Sequence, residues 1–298
     1  MGPLIECVPN FSVGRDKQVL EAIADHFRCR DGVKLLDYSA DWDHNRSVIT
    51  AAGEPEALCE AVIDAIGEAV RRIDLNTHEG QHPRVGAADV VPFIPIRGCT
   101  MAEADAIARK TAEECAKRYA LPCYLYERSA TAAHRQNLAD VRKGEFEGLA
   151  QKMRDPMWKP DFGPDQPHPT AGASVIGARP PLIAYNVNLN TSDVAVAKAI
   201  AKRIRHSSGG YRSIKALGVL VEDGKTAQVT MNLTDYRDTA VYRAFEAVKM
   251  EAARYGVSVR NSELIGLIPM QAVADCAAYY LQMDALPADR ILESGLEF

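Results

Sequence analysis

Apolar and polar positions along the chain fall into short extended runs separated by longer stretches of helical period. "LIECVPNF" (4–11) reads as a short apolar strand, and "DKQVLEAIADHF" (16–27) places Val19, Leu20, Ile23 and Phe27 on one helix face. "VKLLDYS" and "RSVITAAG" predict two strands on either side of the polar turn "ADWDHN". "EPEALCEAVIDAIGEAVRRI" predicts a second helix through Leu58, Val62, Ile66 and Val70. A strand, "ADVVPFIPI", and a helix opened by Thr100 and Glu103 follow. Those two residues have capping-box spacing, at which each satisfies the other's free backbone amide.

A similar series begins near residue 181. "LIECVPNFS" is echoed by "LIAYNVNLN", with Leu182, Ile183 and Asn188 each 178 positions after Leu4, Ile5 and Asn10. A helix ("SDVAVAKAIAKRIR"), two strands ("ALGVLVED", "AQVTMNLTD") and another helix ("AVYRAFEAVKMEAARYG") follow in the same order. The expectation is an α+β chain, an α/β sandwich of two related subdomains, residues 1–178 and 179–298. Each would be an antiparallel-rich mixed sheet with helices on one face, in the ferredoxin-like β-α-β-β-α order. Between the halves runs "DPMWKPDFGPDQPHPTAGASVIGARPP", rich in proline and glycine yet carrying Trp158 and Phe162. Buried aromatics predict an ordered crossover rather than a flexible linker.

Composition narrows the classes. Of 298 residues, 47% are apolar and 25% charged, ample for a core, and 35 basic against 40 acidic residues give −5. That balance offers no electrostatic footprint for nucleic acid or a membrane surface. Seven scattered cysteines without a C-x-x-C pair predict buried thiols in a reducing compartment. "MGPLIECVPN" lacks a basic and apolar leader pattern, and "LIGLIPMQAVADCAAYYL" is broken by Pro269, Gln271 and Asp275, so it predicts a strand followed by a helix. A cytoplasmic protein is expected.

"HEGQH" (78–82) has the spacing of a zinc-protease signature, which requires a helix so that both histidines share a face. Gly80 inside the turn costs about 1 kcal/mol, and Pro83 pushes His82 toward an extended backbone. A loop is predicted, and no metal. His78 is expected to be a solvated loop histidine, whereas His82 stands beside a fixed cation in His-Pro-Arg.

"ECVPNFS", "HPRVGAADVVPFIPIRG", "WKPDFGP", "IGARPPLIAYNVNLN" and "AQVTMNL" occur in the order in which they stand in the formiminotransferase domain of glutamate formiminotransferases, which the chain resembles from about Leu4 to about Tyr280. It resembles the stand-alone form, without the cyclodeaminase fused behind it in some members. The resemblance implies two similar subdomains with a substrate groove between them, usually a homodimer. It implies transfer of a formimino group from N-formimino-L-glutamate to N5 of tetrahydrofolate, itself a co-substrate and in places polyglutamylated. A separate cyclodeaminase is the partner it suggests.

The family's catalytic histidine falls on His82, an imidazole able to carry a proton from N5 to the leaving glutamate nitrogen. The cationic donor calls for a carboxylate. After "LLD" the family tends to place an acid where this chain has Ser39, so Asp37, Asp41 and Asp43 are the candidates. Arg84 and Arg46 are candidates for the substrate carboxylates, and the basic run 202–215 for a glutamate tail. By resemblance, tetrahydrofolate lies against Gly163, Pro164, Asp165, Gln166, Pro167, His168, Pro169, Thr170, Ala171 and Gly172. Two alternatives remain: another donor, such as 5-formyltetrahydrofolate or formiminoglycine, and folate binding without turnover.

Overall fold

The structure, a computed structural model, describes residues 2–221 and 224–295. It contains two compact units, Met1–Arg179 and Pro180–Phe298. The first runs β1 (Leu4–Cys7), β2 (Asn10–Phe11), α1 (Lys17–Arg28), β3 (Val33–Asp41), β4 (Arg46–Gly53), α2 (Pro55–Arg72), β5 (Ala88–Arg97) and α3 (Met101–Tyr119). It continues through β6 (Cys123–Leu125), α4 (Leu138–Arg142), α5 (Glu145–Lys152) and β7 (Ser174–Ala178).

β1 and β2 act as one interrupted strand between β4 and β5, and β3 lies outside β4. These pairings are antiparallel, whereas β7 and then β6 add in parallel beyond β5. Alternation sorts the side chains onto two faces. Ile5, Phe11, Ile49, Val91, Phe93 and Ile176 point to the core under α1, α2 and α3, with Ile23, Phe27, Leu58 and Ile66 facing them. Each such side chain contributes roughly 1.5–3 kcal/mol. Val90, Tyr124 and Val175 point the other way, into a second cluster with Val85, Val141, Leu149 and Met153 and with Trp158 of the crossover packed against it. The crossover is ordered, and it supplies a strand, β7.

Helix ends follow local chemistry. Asp16 caps α1 by accepting from Gln18 N (2.9 Å) and Val19 N (3.0 Å), and Thr100 with Glu103 forms the capping box of α3.

The second unit comprises β8 (Ile183–Leu189), α6 (Val194–Ile204), β9 (Ile214–Leu220), β10 (Ala227–Leu233), α7 (Val241–Ala253), β11 (Val259–Ile265) and α8 (Met270–Tyr280). Its sheet is antiparallel, in the order β11-β8-β10-β9. The first unit's β5, β1/β2, β4 and β3 stand in the same spatial order, so both units carry the ferredoxin-like arrangement. Residues 222 and 223, at the end of one expected strand, lie outside the described residues. Among the described residues no helix is long and apolar enough to cross a membrane.

Candidate functional site

The segment from Thr77 to Val85 contains no helix, so His78 and His82 do not share a helix face. Among the described residues no group of three or more His, Cys, Asp or Glu side chains is arranged to hold a metal. The loop rests on the β3–β4 turn, and Asn45 ties the two together from a left-handed backbone (φ 45°) that asparagine tolerates. Its side-chain Oδ1 accepts from Gly14 N (2.9 Å) and Arg15 N (3.2 Å), and its Nδ2 donates to Glu79 O (3.1 Å). His78 is not solvated as expected. It is half-buried, with Nδ1 accepting from Arg84 Nε (3.1 Å), which leaves Nε2–H to donate to Asn45 O (2.9 Å). Burial, helped by the Arg84 charge, holds it below the usual histidine range.

Arg84, named from sequence as a substrate cation, is 7% exposed and occupied within the protein. It donates from Nη2 to Glu147 Oε1 (2.8 Å) and His78 O (3.2 Å), and from Nη1 to Glu145 Oε2 (3.3 Å). Two acids opening α5 therefore fix the guanidinium, and the guanidinium fixes the loop.

His82 is half-buried, in a narrow cleft also lined by Phe11, Ser12, His44, Arg46 and Asp89. Its ring meets His44 edge to face, with centroids 6.3 Å apart and 72° between planes. Asp41 holds His44 through the backbone N–H (2.9 Å) and ring Nδ1 (2.8 Å). Burial pushes the Asp41 carboxyl up, but these bonds outweigh it and hold it below the usual range. Asp41 stands opposite Arg46 in the β3–β4 register. Asp37 is exposed four residues earlier on β3, opposite Thr50, so strand geometry puts it about 13 Å from Asp41. Asp41, Arg46 and His82 are brought together, and Asp37 stands apart from them.

Sequence reasoning missed Arg142, Asn10, Asp89 and His44. Arg46 Nη2 donates to Asn10 Oδ1, and Arg142 Nη2 to Asp89 Oδ2. Asp89 is 2% exposed and accepts from Val85 N (2.8 Å) through its other oxygen. Burial and the Arg142 charge lower Arg46 to about 10, still a cation at neutral pH. Burial, then Arg46, Arg142 and His44, lower His82 to about 3. Burial and two guanidinium groups make this imidazole far less basic than an ordinary histidine. An acid opening an apolar strand, as in "ADVV", was a legible signal for Asp89. "LADVR" offered none for Arg142.

The crossover reaches this region from below. Thr170 O accepts from Leu75 N (2.8 Å), Pro169 O from Asn76 Nδ2 (2.9 Å), and Ala171 O from Ala87 N (2.9 Å). His168 and Gly172 exchange two backbone bonds (2.8 and 3.0 Å), and His168 Nδ1 accepts from Ala171 N (3.1 Å). Gly172 sits at φ +68°, and a β-carbon there would lie 2.1 Å from Val85 O. The stretch from His168 to Gly172 therefore docks against both flanks of the histidine loop, while Asp165 and Gln166 are exposed. The basic run 202–215 lies in the second unit. There Arg203 pairs with Glu251 (3.3 Å), Arg212 with Asp238 (3.4 Å), and Arg205 Nε donates to Ser208 Oγ (2.7 Å).

Residues 4–179 match the N-terminal subdomain of the formiminotransferase domain, and residues 184–292 match the formiminotransferase domain. A glutamate formimidoyltransferase of Streptococcus pyogenes serotype M1 is 47% identical over 297 residues, covering 99% of each chain. Another from Thermoplasma acidophilum is 45% identical over 296 residues, 99% of this chain and 97% of that one. A formimidoyltransferase-cyclodeaminase of Mus musculus is 39% identical over 292 residues, 96% of this chain and 54% of that protein.

Proposed function

The chain belongs to the formiminotransferase family, and from that premise we propose that it transfers the formimino group of N-formimino-L-glutamate to N5 of tetrahydrofolate, releasing L-glutamate. The observation that carries this to particular residues is the neutral imidazole of His82, half-buried beside Arg46, Arg142 and His44, the last held by Asp41. N5 attacks the amidine carbon and forms the new C–N bond. His82 takes the N5 proton, and a proton passes to the glutamate nitrogen as its bond to carbon breaks. Asp41 faces the amidinium charge, with Asp37 farther along the same strand. Arg46 meets a donor carboxylate. Arg84, already bonded to Glu145 and Glu147, positions the loop that carries His82.

Tetrahydrofolate lies against the turn from Gly163 to Gly172, whose docking onto Leu75, Asn76 and Ala87 sets it beside the histidine loop. In this reading the enzyme is a cytoplasmic homodimer that needs no metal. A separate cyclodeaminase consumes its product, the activity named in the longer Mus musculus relative.

The test is turnover of tetrahydrofolate with N-formimino-L-glutamate, followed by acid conversion of the product to the absorbing methenyl form. His82→Ala should lower the rate roughly 10²–10⁴-fold, the worth of a positioned proton carrier. Absence of turnover by the folded wild-type protein overturns the reading.

A further inference from the structure

Two guanidinium groups near His82 are left with unfilled hydrogen bonds. Arg46 bonds to a neutral amide, Asn10, and Arg142 to Asp89. Asp89 thus contacts Arg142 and acts on Arg46 only through its charge, as Asp41 does. Asp41 bonds to His44, and Glu145 and Glu147 bond to Arg84, so none of the three supplies an acceptor to either Nε. Moreover, the Nε of Arg46 and the Nε of Arg142 are both buried without a hydrogen-bond partner. Such a donor costs about 1–3 kcal/mol, more when it carries charge. What both lack is an oxygen acceptor, and a carboxylate offers two oxygens in the geometry that a guanidinium matches.

We propose that Arg46 and Arg142 together seat one carboxylate of the glutamate donor, and that filling this seat prepares His82 to accept the proton from N5. The proposal rests on the transferase reading above and adds to it a residue, Arg142, and an order of events.

The coupling follows from who faces His82. Arg46 comes from β4, Arg142 from α4 and Asp89 from β5, with His44 from the β3–β4 turn and His78 and Arg84 from its own loop, while Asp41 at the end of β3 reaches it only through His44. With two cations near it the imidazole resists a proton. A carboxylate between the guanidinium groups cancels one of those charges. An opposite charge at such range raises proton affinity by roughly ten- to a thousandfold. The donor therefore readies the base that its own transfer needs, and free enzyme carries an unprimed histidine.

Arg142 is placed for this by its helix. Lys152 Nζ donates to Asp140 O (2.8 Å), Val141 O (2.6 Å) and Lys143 O (3.1 Å), tying the last turn of α4 to α5. The same ammonium lies 3.7 Å from the Trp158 ring centroid. The crossover thereby holds the Arg142 helix in position.

The measurement is the titration of His82 in isotopically labelled protein by NMR, assigned by its loss in His82→Asn, with and without saturating L-glutamate. The expected result is a titration midpoint at least one pH unit higher with glutamate. Arg142→Met should weaken glutamate binding tenfold or more and abolish the displacement, and Arg142→Lys, which keeps a cation opposite Asp89, should restore part of both. A midpoint that ignores glutamate, or a folded Arg142→Met protein that binds glutamate as tightly as wild type, overturns the seat. Turnover by the same preparation separates the outcomes, because active enzyme with an unresponsive His82 refutes the seat alone, whereas inactive enzyme refutes the transferase reading as well.

Discussion

Gly80 lies so close to His44 that a β-carbon on it would stand 2.3 Å from the His44 carbonyl oxygen. The histidine loop and the β3–β4 turn are therefore packed backbone to backbone, and that contact sets the His44 ring against His82. The glycine that spoils the zinc motif is the residue that permits this approach.

Gly80→Ala should consequently push the loop off the turn. We expect a stability loss of about 1–3 kcal/mol and a fall in kcat of tenfold or more, since displacement of a proton-transfer group by about 1 Å is enough to cost 10²-fold. Thermal melts beside turnover check it. A folded variant with unchanged kcat would show that the contact does not position His82.

Arg84 offers a test between two roles. If it grips substrate, Arg84→Gln raises KM and leaves the melting temperature alone. The bonds to His78, Glu145 and Glu147 predict the reverse order of effects. A nearly buried cation is removed, and stability should fall by about 2–3 kcal/mol, below the range for wholly buried pairs because both acids face solvent. Glu147→Gln alone, at an exposed partner, should cost under about 1 kcal/mol.

His168 fastens the crossover turn by accepting from Ala171 N and lies beside Thr170. His168→Ala loosens the stretch from His168 to Gly172 assigned to the folate. KM for tetrahydrofolate should rise roughly five- to thirtyfold, the equivalent of about 1–2 kcal/mol, with kcat little changed. Steady-state kinetics with each substrate varied in turn decide it, and a change confined to the donor's KM would move the folate elsewhere.

How far the sequence could lead depended on length and periodicity. α1, α2, α6 and α7 each repeat an apolar face over three or more turns, and the β-α-β-β-α order was legible twice. β6 has three residues and β7 is enclosed by prolines and glycines, so neither shows a period. The second layer over the sheet, which carries Arg142, was missed with them. Within the site, His82 was legible from His-Pro-Arg. Its lowered basicity was not, because that arises from burial first and then from Arg46 and Arg142, which lie 36 and 60 residues away in sequence and meet it only in the fold. Conversely, Arg84 looked free in sequence because Glu145 and Glu147, its partners, lie some sixty residues on.

That lowered basicity also makes stability depend on acid. Folded His82 titrates near 3, because of burial first and then Arg46, Arg142 and His44, whereas an unfolded histidine titrates near 6.5. Between these values the unfolded chain binds the proton and the folded one does not, so stability falls as pH drops from about 6.5 toward 3 and is fully present above that window. The full difference corresponds to about 5 kcal/mol. Solvent reaching part of the ring reduces this to about 2 kcal/mol. Urea unfolding at pH 7 and pH 4 should therefore show a smaller acid loss in His82→Asn than in wild type, by about 2 kcal/mol. His78 and His168, lowered by burial in the same direction, remain in both proteins and cancel in that difference. Equal acid losses in the two proteins would mean that neither burial nor the guanidinium groups lower His82, and that the site holds an ordinary imidazole.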